Sequence, residues 1–250
     1  MGANECLNCA NRARHVNSVP CLSPTHADKI RGMATKKPPV KKTTTKKAKP
    51  PASTKPSASP FLVWRPGRFG KGICVLAGIR GVADDWELRE GISRMAGWPS
   101  DAGAKMSKKF PRDSGLADSM HCNHVVVSAR VRQLLESEPV RSVEFLPLQI
   151  INHKDEVVAT DYFVLNPLEI VDCIDLAASE GKENPLDPGT LYGVARLVLR
   201  DEAVPQTLSV FRTKHWTDVS LIRRELAERM TKAGLTGLYF IEPAEYQGLD

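Results

Sequence analysis

The sequence predicts an α+β fold, a mixed and mainly antiparallel sheet with a few amphipathic helices, preceded by a disordered Lys/Pro-rich arm. Three observations predict it. Apolar content returns abruptly at "FLVW", Phe61–Trp64, after a long polar stretch, which sets a boundary near Pro60. Two β-rich runs, "VEFLPLQII" and "VVATDYFVLN", flank the polar link "NHKDE" in the pattern of an antiparallel hairpin. Strand-like runs then outnumber helical ones without alternating with them, which argues against a parallel βαβ sheet. The chain therefore divides into residues 1–60, the arm, and 61–250, the folded body.

Charge follows the same division. Through residue 60 there are twelve Lys and Arg against two acids, Glu5 and Asp28, which leaves 23 basic and 27 acidic residues in the body, so the net +6 belongs to the arm. Thr35–Pro56 carries eight lysines and no acid. Such Lys/Pro/Thr/Ala-rich sequence cannot bury enough apolar area to offset its ordering entropy, and each residue before a proline is turned away from helix. The arm reads as a solvated spacer or as a weak, nonspecific polyanion binder. The second role gives one function to weigh, a nucleic-acid-associated protein acting through its arm, although a mildly acidic body repels phosphate backbones. Cys6, Cys9, His15, Cys21 and His26 open with a Cys-x-x-Cys pair, but the later ligands are scattered and no apolar residues surround them, so a zinc site is not expected. Met33 reads better than Met1 as a natural start. No apolar run is long enough for a signal-peptide core or a membrane span, and three cysteines in the arm and three in the body make no disulfide framework. Both features point to the cytoplasm.

Within the body, "VADDWELREGISRMAG" repeats Leu88, Ile92 and Met95 at helical spacing, with Asp84 and Asp85 at its start and Gly97 past its end, which predicts an amphipathic helix. "SDAGAKMSKKFPRDSGLADSMHC" is polar and Gly-containing, a long loop or series of turns. "HVVVS" is a short strand, and Ser128 is placed to cap a helix with Val131, Leu134 and Leu135 on one face. In the hairpin that follows, Pro147 pushes the first strand toward an edge or a bulge. "EIVDCID", "GVARLVLR" and "LSVFR" supply further strands, with "SEGKENPLDPGT" as a loop between the first two. "TDVSLIRRELAERMTKAG" places Ile222, Leu226, Met230 and Ala233 on one helical face with Asp218 or Ser220 as cap and Gly234 as stop, and "LTGLYFIEP" is a last strand.

Chemistry-bearing motifs are few. "GRFGKG", Gly67–Gly72, has the wrong glycine spacing for a phosphate loop and a glycine where Ser or Thr would hold magnesium, so it is a turn. His121 and His124 lead directly into a strand and read as surface residues on opposite faces rather than as metal ligands. No serine elbow, nucleotide fingerprint or cofactor motif is present. The acids are more suggestive: Glu169, Asp172 and Asp175 punctuate one run, and Trp216 stands two residues from Asp218. These residues read as solvated edges and helix caps, as a carboxylate pair for acid and base work, or, with Asp172, Asp175, Trp216 and Asp218 as contacts, as an acidic and aromatic interface for a basic partner.

The order of these pieces carries a resemblance. "FPRDSGLAD" (110–118), "VVVSARVRQLLE" (125–136), "VEFLPLQI" (143–150), "DYFVLNPLEIVDCIDLAAS" (161–179), "VFR" (210–212) and "ELAERMTKAGLTGLYFIEP" (225–243) together resemble immunity family eleven of bacterial polymorphic toxin systems, over Phe61 to Pro243. The resemblance implies an α+β protein without established catalytic residues that neutralises a cognate secreted toxin by stoichiometric binding; with the motif search above, no enzyme activity, cofactor or metal is expected. Many such toxins are nucleases, here of HNH or endonuclease-VII-like type, and a basic nuclease face suits an acidic body.

Overall fold

The computed structural model describes residues 58–65, 71–138 and 140–248, which lie within one compact unit spanning Ser53–Asp250. The expectations for the arm, its cysteines and Met33, and most of "GRFGKG", lie outside the described residues. In chain order the strands are β1 (Phe61–Trp64), β2 (Leu76–Arg80), β3 (Gly103–Met106), β4 (Ser119–His121), β5 (Val125–Ser128), β6 (Val143–Ile151), β7 (Val157–Pro167), β8 (Ile170–Val171), β9 (Glu180–Glu183), β10 (Leu191–Arg196), β11 (Val210–Thr213), β12 (Ser220–Arg223) and β13 (Phe240–Ile241). Helix α1 (Ala129–Ser137) follows β5 and helix α2 (Arg224–Lys232) follows β12.

Two sheets and a hairpin result. One sheet has the order β2-β3-β6-β7-β5-β4, the other β13-β1-β12-β11-β8, and β9 pairs only with β10. Pairing is antiparallel except between β3 and β6 and between β8 and β11, so the fold is α+β with mixed, mainly antiparallel sheets.

The core explains why several strands read as continuous apolar runs. Leu62 and Trp64 of β1, Val125 and Val127 of β5, Leu165 of β7 and Ile222 of β12 share a central layer with Val131 and Leu135 of α1 and with Leu226, Ala227 and Met230 of α2. The opposite faces of the same strands are also covered: Val126 and Val164 join one outer layer, and Phe61, Val63 and Leu221, with Phe211 of β11, the other. A strand buried on both faces loses its polar alternation. Each of these large side chains contributes about 1.5–3 kcal/mol on burial, and Phe61 adds an edge-to-face contact with Phe211 at 5.2 Å between centroids.

A polar knot ties distant segments to this core. Asp118, 6% exposed, accepts hydrogen bonds from Ser128 Oγ at 2.7 Å, Arg130 Nη1 at 3.0 Å, Thr236 N at 2.8 Å and Thr236 Oγ1 at 3.0 Å. Burial pushes its carboxyl up, but these donors outweigh it and hold the group below its ordinary 3.8. Beside it Gly237 adopts φ +71°, and a Cβ there would meet Ser119 O at 2.1 Å. The motifs "GLAD" and "GLTGL" are therefore two halves of one contact.

Several elements differ from the sequence reading. The helix expected over 84–97 is a short 3-10 helix at Asp85–Glu90. Gly91, at φ +68° and packed against Leu168 O, turns the chain out of it, and Glu144 accepts the Arg94 N–H at 3.0 Å, so Leu88 is buried while Ile92 and Met95 are exposed. The expected loop at 100–122 contains β3 and β4, and Gly103 in β3 lies close against the Ile151 side chain of β6. The loop at 179–190 contains β9. Ile222 lies in β12, and the helix starts at Arg224, after Asp218 and Ser220, because residues 220–223 complete the sheet between β1 and β11. Ser128 occupies the N-cap position of α1 but gives its hydroxyl to Asp118. Pro147 lies in an interior strand, ahead of Gln149 where pairing with β3 begins, and the β6–β7 register shifts just after it, between Leu148 and Ile150. His124 is buried at 3% exposure, not on the surface.

Candidate partner-binding site

The end of the β8–β11 pair forms one wall of a polar groove of about 520 Å³, whose lining includes Arg89, Glu90, Asp187, His215, Trp216 and Asp218. The turn after β11 builds it. Thr213 Oγ1 donates to Trp216 O at 2.6 Å and Arg212 Nη1 to Thr217 O at 2.9 Å, which folds 214–217 tightly back. The Trp216 side chain is thereby directed into the outer core, 8% exposed, with its indole N–H donating to the Tyr246 hydroxyl at 3.4 Å. Asp218 emerges on the solvent side and takes a hydrogen bond from Arg89 Nη1 at 2.5 Å.

Parallel pairing of Thr213 with Val171 sets Asp172 beside the same turn. Its carboxylate accepts from Arg200 at 2.6 Å, lies 3.2 Å from His215 Nε2 and lies 3.6 Å from Lys214 Nζ. Burial opposes ionisation, yet the His215 hydrogen bond and the surrounding cations keep Asp172 below its ordinary value. His215 also reaches across the groove, with Nδ1 2.5 Å from Gly189 O, and its carbonyl accepts the Leu191 N–H at 2.8 Å. One histidine thus joins Asp172 to the β9–β10 loop.

Of the four contacts expected from sequence, three converge here. Trp216 and Asp218 line the groove and Asp172 stands behind its wall through His215. Asp175 does something else: Oδ1 accepts the Ala177 and Ala178 N–H groups at 3.1 and 3.0 Å and closes a turn. Glu169 accepts from Ser142 Oγ at 2.9 Å. Sequence reasoning misses Arg89, His215 and the loop Asn184–Thr190, in which Leu186 is 93% exposed. The one signal was a lone leucine bracketed by Pro185 and Pro188.

Two basic side chains, Arg212 and His124, are buried near the groove residue Arg89. Arg212 is 3% exposed; burial and the Arg89 charge bring it down to about 10, against the pull of Asp218. His124, 3.6 Å from Asp85, is brought down to about 4 by burial and by Arg212, so it is neutral at pH 7. The thiols of Cys74, Cys122 and Cys173 are buried and pushed up to about 11, 11 and 12, far from the thiolate form that reacts. Among the described residues no group of three or more His, Cys, Asp or Glu is arranged to hold a metal, and no helix is long and apolar enough to cross a membrane. The groove's chemistry is that of a charged, hydrogen-bonding surface.

A family model described as "Immunity protein family (Imm11)" matches residues 28–245, reaching further upstream than the Phe61 at which the resemblance begins. No curated protein matches the chain.

Proposed function

The chain belongs to this immunity protein family, and from that premise we propose that it binds a cognate secreted toxin and neutralises it by one-to-one occupation, with no catalysis of its own. The observation that carries the proposal is the family match across most of the body. The buried thiols, the neutral buried His124 and the paired carboxylates of the groove support a binding role over a chemical one.

The toxin is a nuclease in this reading, of HNH or endonuclease-VII-like type, because its nucleic-acid-holding face would be basic and the body carries 27 acids against 23 Lys and Arg. Asp172 and Asp218 belong to the contacting face, Trp216 backs it from the core, and Asp175 supports it as a turn residue. The body, 61–250, does the inhibiting, and the arm, 1–60, adds at most salt-sensitive contact with polyanions. The test is co-expression with the toxin encoded by an adjacent gene, followed by purification. Restored growth and a one-to-one complex burying about 1,600 Å² are expected. A chain that neither protects nor binds the product of any adjacent gene refutes the proposal.

A further inference from the structure

Leu186 is the most exposed large apolar side chain among the described residues, at 93%, and its backbone is not loose. Asn184 Oδ1 accepts the Leu186 N–H at 3.0 Å, Asn184 O the Asp187 N–H at 3.3 Å, and Glu183 Oε1 the Gly189 N–H at 3.2 Å. Thr190 closes the loop, donating from Oγ1 to Asp187 O at 2.7 Å and from N to the same oxygen at 3.1 Å. Pro185 and Pro188 fix φ on either side of the Leu186–Asp187 pair. His215 then fastens the loop to the groove wall at Gly189 O. A leucine presented this way has lost its backbone freedom before any partner arrives, so little ordering entropy remains to oppose its burial.

The surroundings specify what kind of surface would receive it. Residues 183–190, "ENPLDPGT", contain two acids, Glu183 and Asp187, and no base. The groove that the loop borders is mixed in charge, with Glu90 and Asp218 beside Arg89 and Lys214, and Asp218 paired with Arg89. On the same hairpin Tyr192 is 64% exposed and all four residues of β9 face solvent. Within its own loop the apolar tip is thus flanked by the carboxylates of Glu183 and Asp187.

We propose that the β9–β10 loop is a preformed prong that inserts Leu186 into an apolar socket on the toxin, with basic toxin side chains around the socket meeting Glu183 and Asp187. This rests on the inhibitor reading above and locates the anchor of that interface. A buried central apolar anchor with a charged rim is how few-residue hot spots are built.

The experiment measures binding of full-length chains to a catalytically inactive variant of the toxin encoded beside the gene, by calorimetry, together with protection in co-expression. Leu186→Asp should weaken binding at least 100-fold and Leu186→Ala about 10-fold, with unfolding midpoints unchanged because the residue is 93% exposed. Val158→Asp, a control on the distant β6–β7 hairpin where Val158 is 45% exposed, should bind as the unmodified chain does. If the unmodified chain binds and protects while Leu186→Asp does so equally well, the prong is wrong and the inhibitor reading stands. Equal losses from Leu186→Asp and Val158→Asp would also overturn it. A Leu186→Asp change that alters self-association but not toxin affinity would assign the loop to a second copy of this chain instead. Failure of the unmodified chain to bind removes both proposals.

Discussion

Replacing Asp118 by alanine should cost about 3–5 kcal/mol, a large share of the 5–15 kcal/mol by which a domain is ordinarily stable. The figure follows from the donors left behind. The Thr236 N–H cannot reorient and is orphaned outright at about 1–3 kcal/mol, while the Ser128 and Thr236 hydroxyls can rotate and lose less each. The Arg130 guanidinium, 61% exposed, returns to water, and Arg130→Ala should cost no more than about 1 kcal/mol. Urea unfolding followed by tryptophan fluorescence measures both. With a slope of about 2 kcal/mol per molar, Asp118→Ala should lower the midpoint by roughly 1.5–2.5 M. The sign of the pH effect follows from the depressed carboxyl: its stabilisation is complete above the ordinary value of 3.8 and is lost as pH falls below it. A midpoint within about 0.3 M of the unmodified chain, or an equal loss in Arg130→Ala, would refute the view that buried hydrogen bonds to the carboxylate hold this knot.

His124 supplies a second pH effect in a higher window. Because burial brings it from 6.5 down to about 4, the folded state resists a proton that the unfolded chain accepts, so stability is full above pH 6.5 and falls by up to about 3 kcal/mol on the way to pH 4; His124→Gln should flatten that slope in pH-dependent unfolding, and an unchanged slope excludes this cause. Gly237→Ala should cost more than about 3 kcal/mol or prevent soluble expression, whereas Gly234→Ala, at a similar φ of +68° with nothing within 4 Å, should cost about 1 kcal/mol; equal costs would show that the close approach to Ser119 O is unimportant. In the toxin complex, Asp172→Ala and Asp218→Ala should each weaken binding by about 2–5 kcal/mol with the fold intact, while Trp216→Ala, its ring in the core, should lose stability and binding together; an Asp218 variant that binds normally would remove it from the interface.

How much of this was legible depended on whether local pattern and tertiary demand agreed. The β6–β7 hairpin, β5 and α1 follow from periodicity because their apolar residues face the core on their own account. β3 and β9 do not: "GAKM" and "EGKE" have little intrinsic strand preference and are extended because a neighbouring strand supplies their hydrogen bonds. The apparent helix around Ile92 fails for one residue, Gly91, whose left-handed turn serves a contact with Leu168 that lies far off in sequence. The same limit applied to the site. A Trp–Asp pair close in sequence lies along the groove, but its aromatic faces inward, while the exposed apolar side chain beside it belongs to a loop whose leucine, read linearly, is only one residue in a polar link.

The strand order of the second sheet governs when in its synthesis this protein can exist. Among the described residues β1 is the first strand made, yet Leu62 pairs with Ile222 and Val63 with Ile241, so "FLVW" has no partner in this sheet until nearly the whole body has left the ribosome. At about 5–20 residues per second, the roughly 160 residues between Leu62 and Ile222 take about 8–30 s to add. During that interval a fully apolar strand waits uncovered, and no shortened chain ending before β12 can close the central layer. On the function proposed above, copies therefore have to be made in advance and kept whole, since the central layer closes only once β12 has been added.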